Sequence, residues 1–343
     1  MADSRVRIRD VADRAGVSVT TVSHVLNDVP GKRISESTRS KVRRAAADLG
    51  YAPNSIARNL RLRRSQMLAL ISDEIATTPH AGRLILGAQE AASKHGWLLM
   101  VANTGLDQEF EAREIQALRQ RQVDGFLYAR MYHQDVVLPP DLAGVPTVLL
   151  DARSGDPDVP SVAPDEVTGG RTATEELVRH GHRRIGFVNN VDDIPATRGR
   201  LQGYQEALAA AGIEFDEGLV VEERSDSAGG FRGTYDLLSR GAGPTALFCF
   251  NDRMAMGAYQ AAAELGLRIP QDLSVVGFDD QDLIADGLRP GLTTVALPHY
   301  EMGAWAVDTL IRQIEGLERD GPAQVTLACP LVTRASVSRP VQN

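Results

Sequence analysis

The sequence predicts two unlike parts, a small all-α head followed by a larger α/β body with two lobes. In the first 50 residues, apolar positions recur with the period of an α-helix. From Met67 onward, short apolar strands alternate with amphipathic helices, which predicts parallel sheets covered by helices on both faces. The segment GAQEAASKHGW at 87–97 also agrees with GYQEALAAAGI at 203–213 in five of eleven positions, which predicts two similar lobes.

Charge is divided unevenly between the two parts. The 343-residue chain has 37 Lys and Arg against 45 Asp and Glu, a net charge of −8. That average argues against nucleic acid as a partner. Residues 1–66, however, contain 14 basic and six acidic residues, a net charge of +8, which leaves −16 on the rest of the chain. A basic head on an acidic body predicts a different partner for each part.

Composition excludes several classes of protein. With 43% hydrophobic residues the chain can bury a large core and is not disordered overall. Cys249 and Cys329 are the only cysteines, and no His/Cys cluster accompanies them, so neither a disulfide framework nor a metal site is expected. No apolar run approaches the ~18 residues of a membrane helix. The N-terminus begins with charged residues instead of a signal peptide's apolar stretch, so we expect a soluble, cytoplasmic protein.

The head predicts three short helices. A first helix over 8–15 ends at Gly16, and Ser18 then caps a second helix. Two short helices joined by a glycine turn form the helix-turn-helix pattern, whose second helix lies in the major groove of DNA. A third helix is capped by Ser35 and ends at Gly50. The residues expected in the core of the head are Ile8, Val11, Ala12, Ala15, Val22, Val25, Leu26, Val42, Ala45, Ala46 and Leu49. An ordinary three-helix bundle with a solvated charged face fits the same pattern.

The next segment, YAPNSIARNLRLRRSQ at 51–66, predicts a short helix that needs a partner. Asn54 is a plausible N-cap, and Ala57 and Leu60 belong to an apolar stripe. An isolated helix of this length is unstable in water, where ~12–15 residues are marginal. We therefore expect a helix-turn-helix domain over 1–50, followed by a hinge helix and linker over 51–66.

Three strings in this region make the chain resemble transcriptional repressors of the LacI/GalR family: DVADRAGVSVTTVSHVLN, STRSKVRRAAADLGY and YAPNSIARNL. The resemblance continues through the body to LVTRASV near the end. It implies a sequence-specific DNA-binding regulator, a repressor in the family's manner, that binds a near-palindromic operator as a homodimer. It further implies an effector domain over 67–343 with the two-lobed fold of type I periplasmic binding proteins, in which the chain crosses between lobes near 165, 296 and 326.

The resemblance also implies which residues contact DNA. It places Val19, Thr20 and His24 on base edges and makes Leu60 a wedge in the minor groove, where such side chains kink the duplex. Val19 can meet only a thymine methyl group, whereas Thr20 and His24 can exchange hydrogen bonds with bases. Many members have arginine where this chain has His24, so the operator sequence is not implied. The full expected set is Ser18, Val19, Thr20, Thr21, Ser23, His24, Asn27, Thr38, Tyr51, Ala57, Arg58 and Leu60.

Polar residues that follow predicted strands are the expected effector contacts, because ligands of parallel sheets bind outside the carboxyl ends of the strands. Carboxylates, an amide and a guanidinium suit a ligand with many hydroxyl groups. The resemblance implies that Arg198, Asn251 and Asp279 hold the hydroxyls of a sugar, with Asp151 on the opposite lobe and Phe231 stacking on the ring. The full expected set is Thr78, His80, Asn103, Tyr128, Arg130, Asp151, Arg198, Phe231, Asn251 and Asp279.

Each of these assignments has a structural alternative. An aspartate at a strand end is often a helix N-cap or one half of an ion pair between lobes. Leu297 stands where many relatives have a glutamine that bridges the cleft and the hinge, so the pose of a ligand at that edge is not implied.

The remaining function classes are distinguished by motifs. No GxGxxG after a strand, GxxxxGK[ST] or GxSxG occurs, so no enzyme is expected. A solute-binding protein would share the body but would not carry the basic head.

The favoured effector is a mono- or disaccharide inducer, and a purine or nucleoside co-repressor is the alternative. No cofactor, metal or membrane is expected, and the dimer would act in the cytoplasm at the nucleoid.

Overall fold

The computed structural model describes residues 6–26, 31–51, 64–75, 78, 82–240, 243–319 and 321–341. The contacts divide the chain into two compact units, a head of residues 1–65 and a body of residues 66–343. Within the described ranges, none of the helices combines the length and the apolar character needed to span a bilayer.

The head contains three helices, α1 (Ile8–Ala15), α2 (Val19–Leu26) and α3 (Glu36–Asp48). Gly16 ends α1 in the left-handed conformation at φ 67°, where a side chain would be strained. The Ser18 hydroxyl accepts a hydrogen bond from the Thr21 amide at 3.1 Å, and the Ser35 hydroxyl accepts one from the Thr38 amide at 3.2 Å. The predicted caps of the second and third helices are therefore confirmed.

A single apolar cluster holds these helices together. Its buried members are Val11, Ala12, Val22, Val25, Val42, Ala45 and Ala46, and Ile8, Ala15, Leu26 and Leu49 pack partly buried against it. The predicted core of the head is confirmed residue by residue, because helical periodicity alone decides which side of so short a helix can face inward.

The body is built from strands and helices that alternate along the chain. Its strands are β1 (Met67–Ser72), β2 (Leu98–Asn103), β3 (Gly125–Asp135), β4 (Thr147–Arg153), β5 (Ser161–Pro164), β6 (Ile185–Asn190), β7 (Val220–Glu223), β8 (Ala246–Cys249), β9 (Ser274–Asp279), β10 (Thr293–Ala296), β11 (Gln324–Leu327) and β12 (Leu331–Val332). Its helices are α4 (Gly82–Lys94), α5 (Gln108–Gln120), α6 (Glu166–Arg179), α7 (Pro195–Ala210), α8 (Ser227–Ser239), α9 (Asp252–Glu264), α10 (Asp282–Ala285) and α11 (His299–Glu315).

These strands form two six-stranded sheets, one in each lobe. Lobe 1 has the order β11-β5-β4-β3-β1-β2 and lobe 2 the order β12-β10-β9-β8-β6-β7. The paired strands run parallel except for β12, which is antiparallel to β10. Both lobes thus repeat one doubly wound order with a switch point between their first and third strands, β1 and β3 or β6 and β8.

The chain passes between the lobes three times. It leaves lobe 1 between β5 and α6, returns between β10 and α11, and leaves again between β11 and β12. Helix α11 packs on α4, β3 and β4 of lobe 1, whereas α6 packs on α7 and β9 of lobe 2.

Seven strands coincide with apolar runs of the sequence that predict strands, namely MLALI, WLLMVA, VDGFLYA, VPTVLLD, RIGFVN, ALFCF and LSVVGFDD. Five further strands, β5, β7, β10, β11 and β12, were not predicted. Each has four residues or fewer. Such short segments do not show an apolar run long enough to distinguish a strand from a loop.

Glycine allows the close helix crossings in both lobes. A Cβ atom on Gly87 of α4 would lie 2.0 Å from the Tyr300 carbonyl oxygen of α11. A Cβ atom on Gly203 of α7 would lie 2.1 Å from the Val167 carbonyl oxygen of α6. Gly87 and Gly203 are the first residues of the two similar segments found in the sequence. The internal repeat therefore marks the same helix crossing in each lobe.

Gly87→Ala should destabilise the body by about 1–3 kcal/mol, because the added methyl group meets backbone that cannot move aside cheaply. The measurement is the free energy of unfolding from urea denaturation. Gly82→Ala in the same helix is the matched control, since beyond its own helix and chain neighbours no described atom lies within 4 Å of a Cβ there. Equal stability of the two variants would contradict this account of the crossing.

Candidate ligand cleft and nucleic-acid interface

The two lobes meet at a buried group of charged side chains, named here the charged cluster: Asp151, Glu166, Arg200 and Asp279. Asp151 lies in lobe 1 on β4, and the other three belong to α6, α7 and β9 of lobe 2. The carboxyl of Asp151 interacts electrostatically with all three. The cluster therefore lies between the lobes, at the carboxyl ends of β4 and β9, where a doubly wound sheet places its ligands.

Arg200 is the centre of the cluster. Its side chain is only 4% exposed, and its Nε donates a hydrogen bond to Glu166 Oε2 at 2.7 Å. Its Nη1 donates to the Phe250 carbonyl oxygen and lies 3.6 Å from Asp279 Oδ1. The guanidinium also lies over the rings of Phe250 and Phe278, at 4.3 and 3.7 Å from their centroids. Aromatic faces and carboxylates together stabilise a cation that has left water.

Close packing of α6 against α7 brings the ion pair together. Glu166 is the first residue of α6. A Cβ atom on Gly170 would lie 2.5 Å from the Arg200 carbonyl oxygen. Burial alone would lower the pKa of Arg200, but the carboxylates of Glu166 and Asp279 outweigh it and raise the pKa. The guanidinium therefore stays charged.

Asp151 is less well compensated, because Arg200 lowers its pKa but does not outweigh burial. It is 4% exposed, has a positive φ of 52°, and its Oδ1 has no hydrogen-bond partner within the described part of the chain. Burial raises the pKa of Asp151 well above its usual range, and the nearby Glu166 carboxylate raises it further. A buried carboxyl oxygen without a donor costs free energy. Asp151 is therefore ready to accept a hydrogen bond from a ligand.

A cavity of about 950 Å³ opens beside Asp279. This volume lies at the upper end of the range usual for ligand pockets. Asp279 has φ 103°, and its Oδ2 accepts a hydrogen bond from Gln281 Nε2 at 2.9 Å. Burial raises the pKa of Asp279, and Arg200 opposes the rise. The described cavity wall is completed by Thr78, Arg83, Arg253, Met256, Asp280, Asp282, Leu283, Ile284, Ala296, Leu297, Pro298, His299, Glu301, Leu327, Ala328 and Pro330.

His133 adds an unpaired imidazole near the charged cluster. It is 8% exposed, and neither ring nitrogen has a hydrogen-bond partner among the residues described. Burial lowers the pKa of His133, and the nearby Glu166 carboxylate opposes the change. The neutral ring offers one donor and one acceptor.

The head presents a separate polar surface on α2. Val22 and Val25 are fully buried, which turns the opposite face of the helix outward. Val19 is 40% exposed there, Thr20 is exposed, and Ser23 and His24 are half-buried. Small polar side chains on one exposed helix face suit contacts with base edges in a major groove.

Comparison with known families assigns both units. Residues 7–54 match the bacterial regulatory proteins of the lacI family, and residues 65–335 match the periplasmic binding proteins and sugar binding domain of the LacI family. The chain belongs to the LacI family. It is a DNA-binding transcriptional regulator with a ligand-binding body, as the helix-turn-helix head and two-lobed fold predicted.

Curated and solved LacI-family proteins align along most of the chain. The ribose operon repressor of Haemophilus influenzae is 36% identical over 90% of this chain and 92% of its own length. The repressor CytR of Escherichia coli is 32% identical over 97% of both chains. The regulator CelR in complex with cellobiose is 34% identical, with a TM-score of 0.70 over 97% of this chain and 100% of that one. The lac repressor dimer bound to operator is 28% identical, with a TM-score of 0.76 over 98% of this chain and 100% of that one.

Of the effector residues expected in this LacI-family body, three belong to the charged cluster or line the large cavity. Asp151 and Asp279 belong to the charged cluster, and Thr78 lines the large cavity. His80 lies outside the described residues. Leu297 contributes an apolar part of the cavity wall.

Arg198 is placed differently from Arg200. The Arg198 side chain is 54% exposed and pairs with Asp193, although both arginines lie on α7. Helical periodicity explains the difference, because Arg200 shares the inward face of α7 with the buried Gly203 and Tyr204. That phase is the signal by which the sequence could have identified Arg200. The sequence has no comparable signal for Glu166 or His133, since only tertiary contacts bring these two residues to the charged cluster.

Tyr128 and Arg130 lie together and contact Glu111 of α5. The Tyr128 hydroxyl donates to Glu111 Oε1 at 3.1 Å, and Arg130 stacks on the Tyr128 ring at 4.6 Å. Burial raises the pKa of Tyr128, so it remains a neutral donor. These residues border a separate cavity of about 470 Å³ between α5 and the segment 137–141.

The other expected effector residues have structural partners. Asn251 is 1% exposed and caps α9, where its Oδ1 accepts from the Met254 amide at 2.9 Å. Phe231 lies on α8 with its ring 5.8 Å from that of Tyr235. Asn103 is half-buried at the end of β2.

The expected DNA-binding residues are partly described. Ser18 and Thr21 share a hydroxyl hydrogen bond of 2.9 Å at the start of α2, and Tyr51 packs half-buried against the head core. Thr38 lies in the first turn of α3. Asn27, Ala57, Arg58 and Leu60 lie outside the described residues.

Replacing Asp151 by asparagine should stabilise the ligand-free protein increasingly as pH rises. Burial raises the pKa of Asp151, so the stability that its proton provides is complete at low pH and is lost as pH rises through the folded-state pKa. The asparagine side chain carries no charge at any pH, and the variant should gain on the order of 1 kcal/mol over the wild type, or a few degrees in Tm, between about pH 5 and pH 8.

Asp272→Asn is the matched control for this measurement. The Arg268 guanidinium hydrogen-bonds Asp272 and lowers the pKa of Asp272 to about 2. Position 272 therefore keeps a constant charge across the same pH interval, both in the wild type and in Asp272→Asn. The Tm difference for Asp272→Asn should not change with pH there. A pH-independent difference for Asp151→Asn as well would contradict the assignment of a buried, raised-pKa carboxyl.

Proposed function

We propose that this LacI-family regulator represses transcription by binding an operator as a homodimer, and that a neutral sugar bound between its lobes releases it as an inducer. The observation that supports the sugar is the charged cluster, in which several buried carboxyl groups surround one guanidinium. Carboxyl groups accept hydrogen bonds from hydroxyls, and a guanidinium donates to hydroxyl oxygens, so the set suits a polyhydroxyl ligand.

The charge of the cluster favours an uncharged ligand over a phosphorylated one. Asp151, Glu166 and Asp279 carry three carboxyl groups against the single cation Arg200. An anionic ligand would place its charge beside Asp151 and Asp279, where burial already disfavours a negative charge and raises the pKa of both carboxyls. The apolar cavity wall at Leu297 and Ile284 suits the CH groups of a sugar ring.

Relatives support the same ligand class. One solved LacI-family regulator carries cellobiose, and another, from Enterococcus faecium, carries ribose. We propose Asp151, Arg200, Asp279 and His133 as the hydroxyl-binding residues. Tyr128, Arg130, Asn103, Phe231 and Asn251 remain weaker candidates. A purine or nucleoside co-repressor is the second candidate, because the large cavity accommodates a flat ring system as well.

We infer that the head reads its operator through the second helix. Val19, Thr20 and His24 would contact base edges, with hydroxyls at Ser18, Thr21 and Thr38 near phosphates. The net charge of +8 in residues 1–66 supplies the attraction to phosphate, which falls as salt rises. This role places the protein in the cytoplasm at the nucleoid and needs no catalytic activity.

Leu60→Ala should weaken operator binding and reduce DNA bending if Leu60 is a minor-groove wedge, since alanine is too short to enter a base step. Gel mobility of circularly permuted operator fragments measures both quantities. Leu106→Ala is the control, because it shortens a leucine of the body that is 87% exposed, whereas a buried leucine such as Leu68 would affect folding. Unchanged bending by Leu60→Ala would exclude the wedge.

The effector assignment is tested by titrating the protein with D-ribose and with cellobiose. The sugar that binds should raise the Tm of the wild type, because it binds only the folded state. Arg200→Lys should weaken that binding about 10- to 100-fold, since lysine keeps the charge beside Glu166 but loses the forked donor geometry.

Arg198→Lys is the matched control and should change sugar affinity less than about 3-fold, because its side chain is more than half exposed and pairs with Asp193. A larger loss in Arg198→Lys than in Arg200→Lys would reverse the assignment of the two arginines. A rise in Tm with hypoxanthine or adenosine, but with neither sugar, would replace the inducer proposal by the co-repressor alternative.

A further inference from the structure

Strand β3 contains a large bulge opposite Asp151. Ala129 pairs with Leu150 and Gln134 pairs with Ala152, so residues 130–133 of β3 stand opposite Asp151 alone. A bulge bends its strand and redirects its side chains. In β3 it takes residues 130–133 out of the regular register of the lobe 1 sheet.

The bulge forms a direct hydrogen bond between the lobes. Arg253 Nη2, on α9 of lobe 2, donates to the Tyr132 hydroxyl of lobe 1 at 2.8 Å. The Tyr132 ring packs against the apolar core of lobe 1, which fixes the position of its hydroxyl. Arg253 lines the large cavity, and its charge lowers the pKa of the neighbouring Asp279 against the larger effect of burial.

The neighbours of Tyr132 approach lobe 2 as well. His133 interacts electrostatically with Glu166 and Arg200. Asp135 Oδ2 lies 4.0 Å from Arg198 Nη2, although both of these side chains are more than half exposed and this pair is weak. Tyr132 therefore provides the one short hydrogen bond between lobes in this part of β3 that the structure describes.

We propose that Tyr132 is a positioning residue that sets how far the two lobes close, by holding Arg253 in the wall of the cavity. The three crossings of the chain tether the lobes but leave their relative rotation to noncovalent contacts. A charged donor bonded to an anchored phenol is such a contact, and charge-assisted bonds are stronger than neutral ones. The lobe angle is then fixed before a ligand arrives, whichever ligand the cavity takes.

The experiment measures the distance between the lobes in the full-length protein. Cysteines are introduced for spin labels at Glu109 of α5 and Glu222 of β7, which are exposed residues of lobe 1 and lobe 2. The native Cys249 and Cys329 are buried and should not react. Labelled chains are mixed with an excess of unlabelled chains, so that distances within one chain dominate the pulsed electron spin resonance signal.

Tyr132→Phe removes only the hydroxyl and should lengthen and broaden the interlobe distance distribution without ligand. Tyr300→Phe is the matched control, because the Tyr300 hydroxyl donates to Glu90 within lobe 1 at 2.6 Å. It should leave the distribution unchanged. Arg253→Met should shift the distribution as Tyr132→Phe does, and the double variant should shift it no further, since both changes remove the same bond.

Circular dichroism and Tm establish that each variant is folded, so the distance reports lobe position and not loss of structure. An unchanged distribution in folded Tyr132→Phe overturns the proposal. An equal shift in Tyr300→Phe overturns it too, because loosening would then follow the loss of any hydroxyl. Additive shifts from the two single changes would show that the residues act separately and would also overturn it.

Discussion

The burial of Arg200 is the constraint on which the cleft depends. An ion of this kind loses several kcal/mol of hydration when it leaves water, and only well-placed partners offset the loss. Here the partners come from three elements: Glu166 from the start of α6, the Phe250 carbonyl after β8, and Asp279 from the end of β9. A shift of any one of them removes part of the compensation of this buried charge. The register of the lobe 2 sheet and the crossing of α6 with α7 are therefore tied to one guanidinium.

The same constraint leaves lobe 1 electrostatically unsatisfied. Arg200 is shared by Glu166 and Asp279, and although it also lowers the pKa of Asp151 across the cleft, burial outweighs it. Residues that await a ligand commonly reduce the stability of the free protein. His133 follows the same pattern, with two unpaired ring nitrogens among the described residues. A ligand with several hydroxyls would supply both groups with hydrogen-bond partners. Its binding would be more favourable because these buried groups are unpaired in the free protein.

The spacing of apolar residues in the sequence predicted most of the fold but only some of the candidate site residues. The three helices of the head, their caps and seven body strands follow from apolar spacing and from Ser and Gly positions. Asp151 and Asp279 follow from their place at strand ends. Arg200 was not among the residues that the resemblance implied, although its position on the buried face of α7 distinguishes it from the more exposed Arg198. Tyr128 bonds to Glu111 of α5, because the end of a strand can face a helix of its own lobe as well as the cleft, and only tertiary packing decides which.

The division of charge limits how a neutral effector can act. The attraction of the head to phosphate depends on its +8 charge, and the body's −16 opposes DNA, but a sugar changes neither value. Its influence must then come from a change in the position of groups, which requires that the two lobes have distinct arrangements with different affinity for it. A fixed cross-lobe contact such as Arg253 with Tyr132 matters in that case, because it defines one of those arrangements without ligand. The effector has to bind differently to each arrangement, and the size of that difference bounds any change in operator affinity.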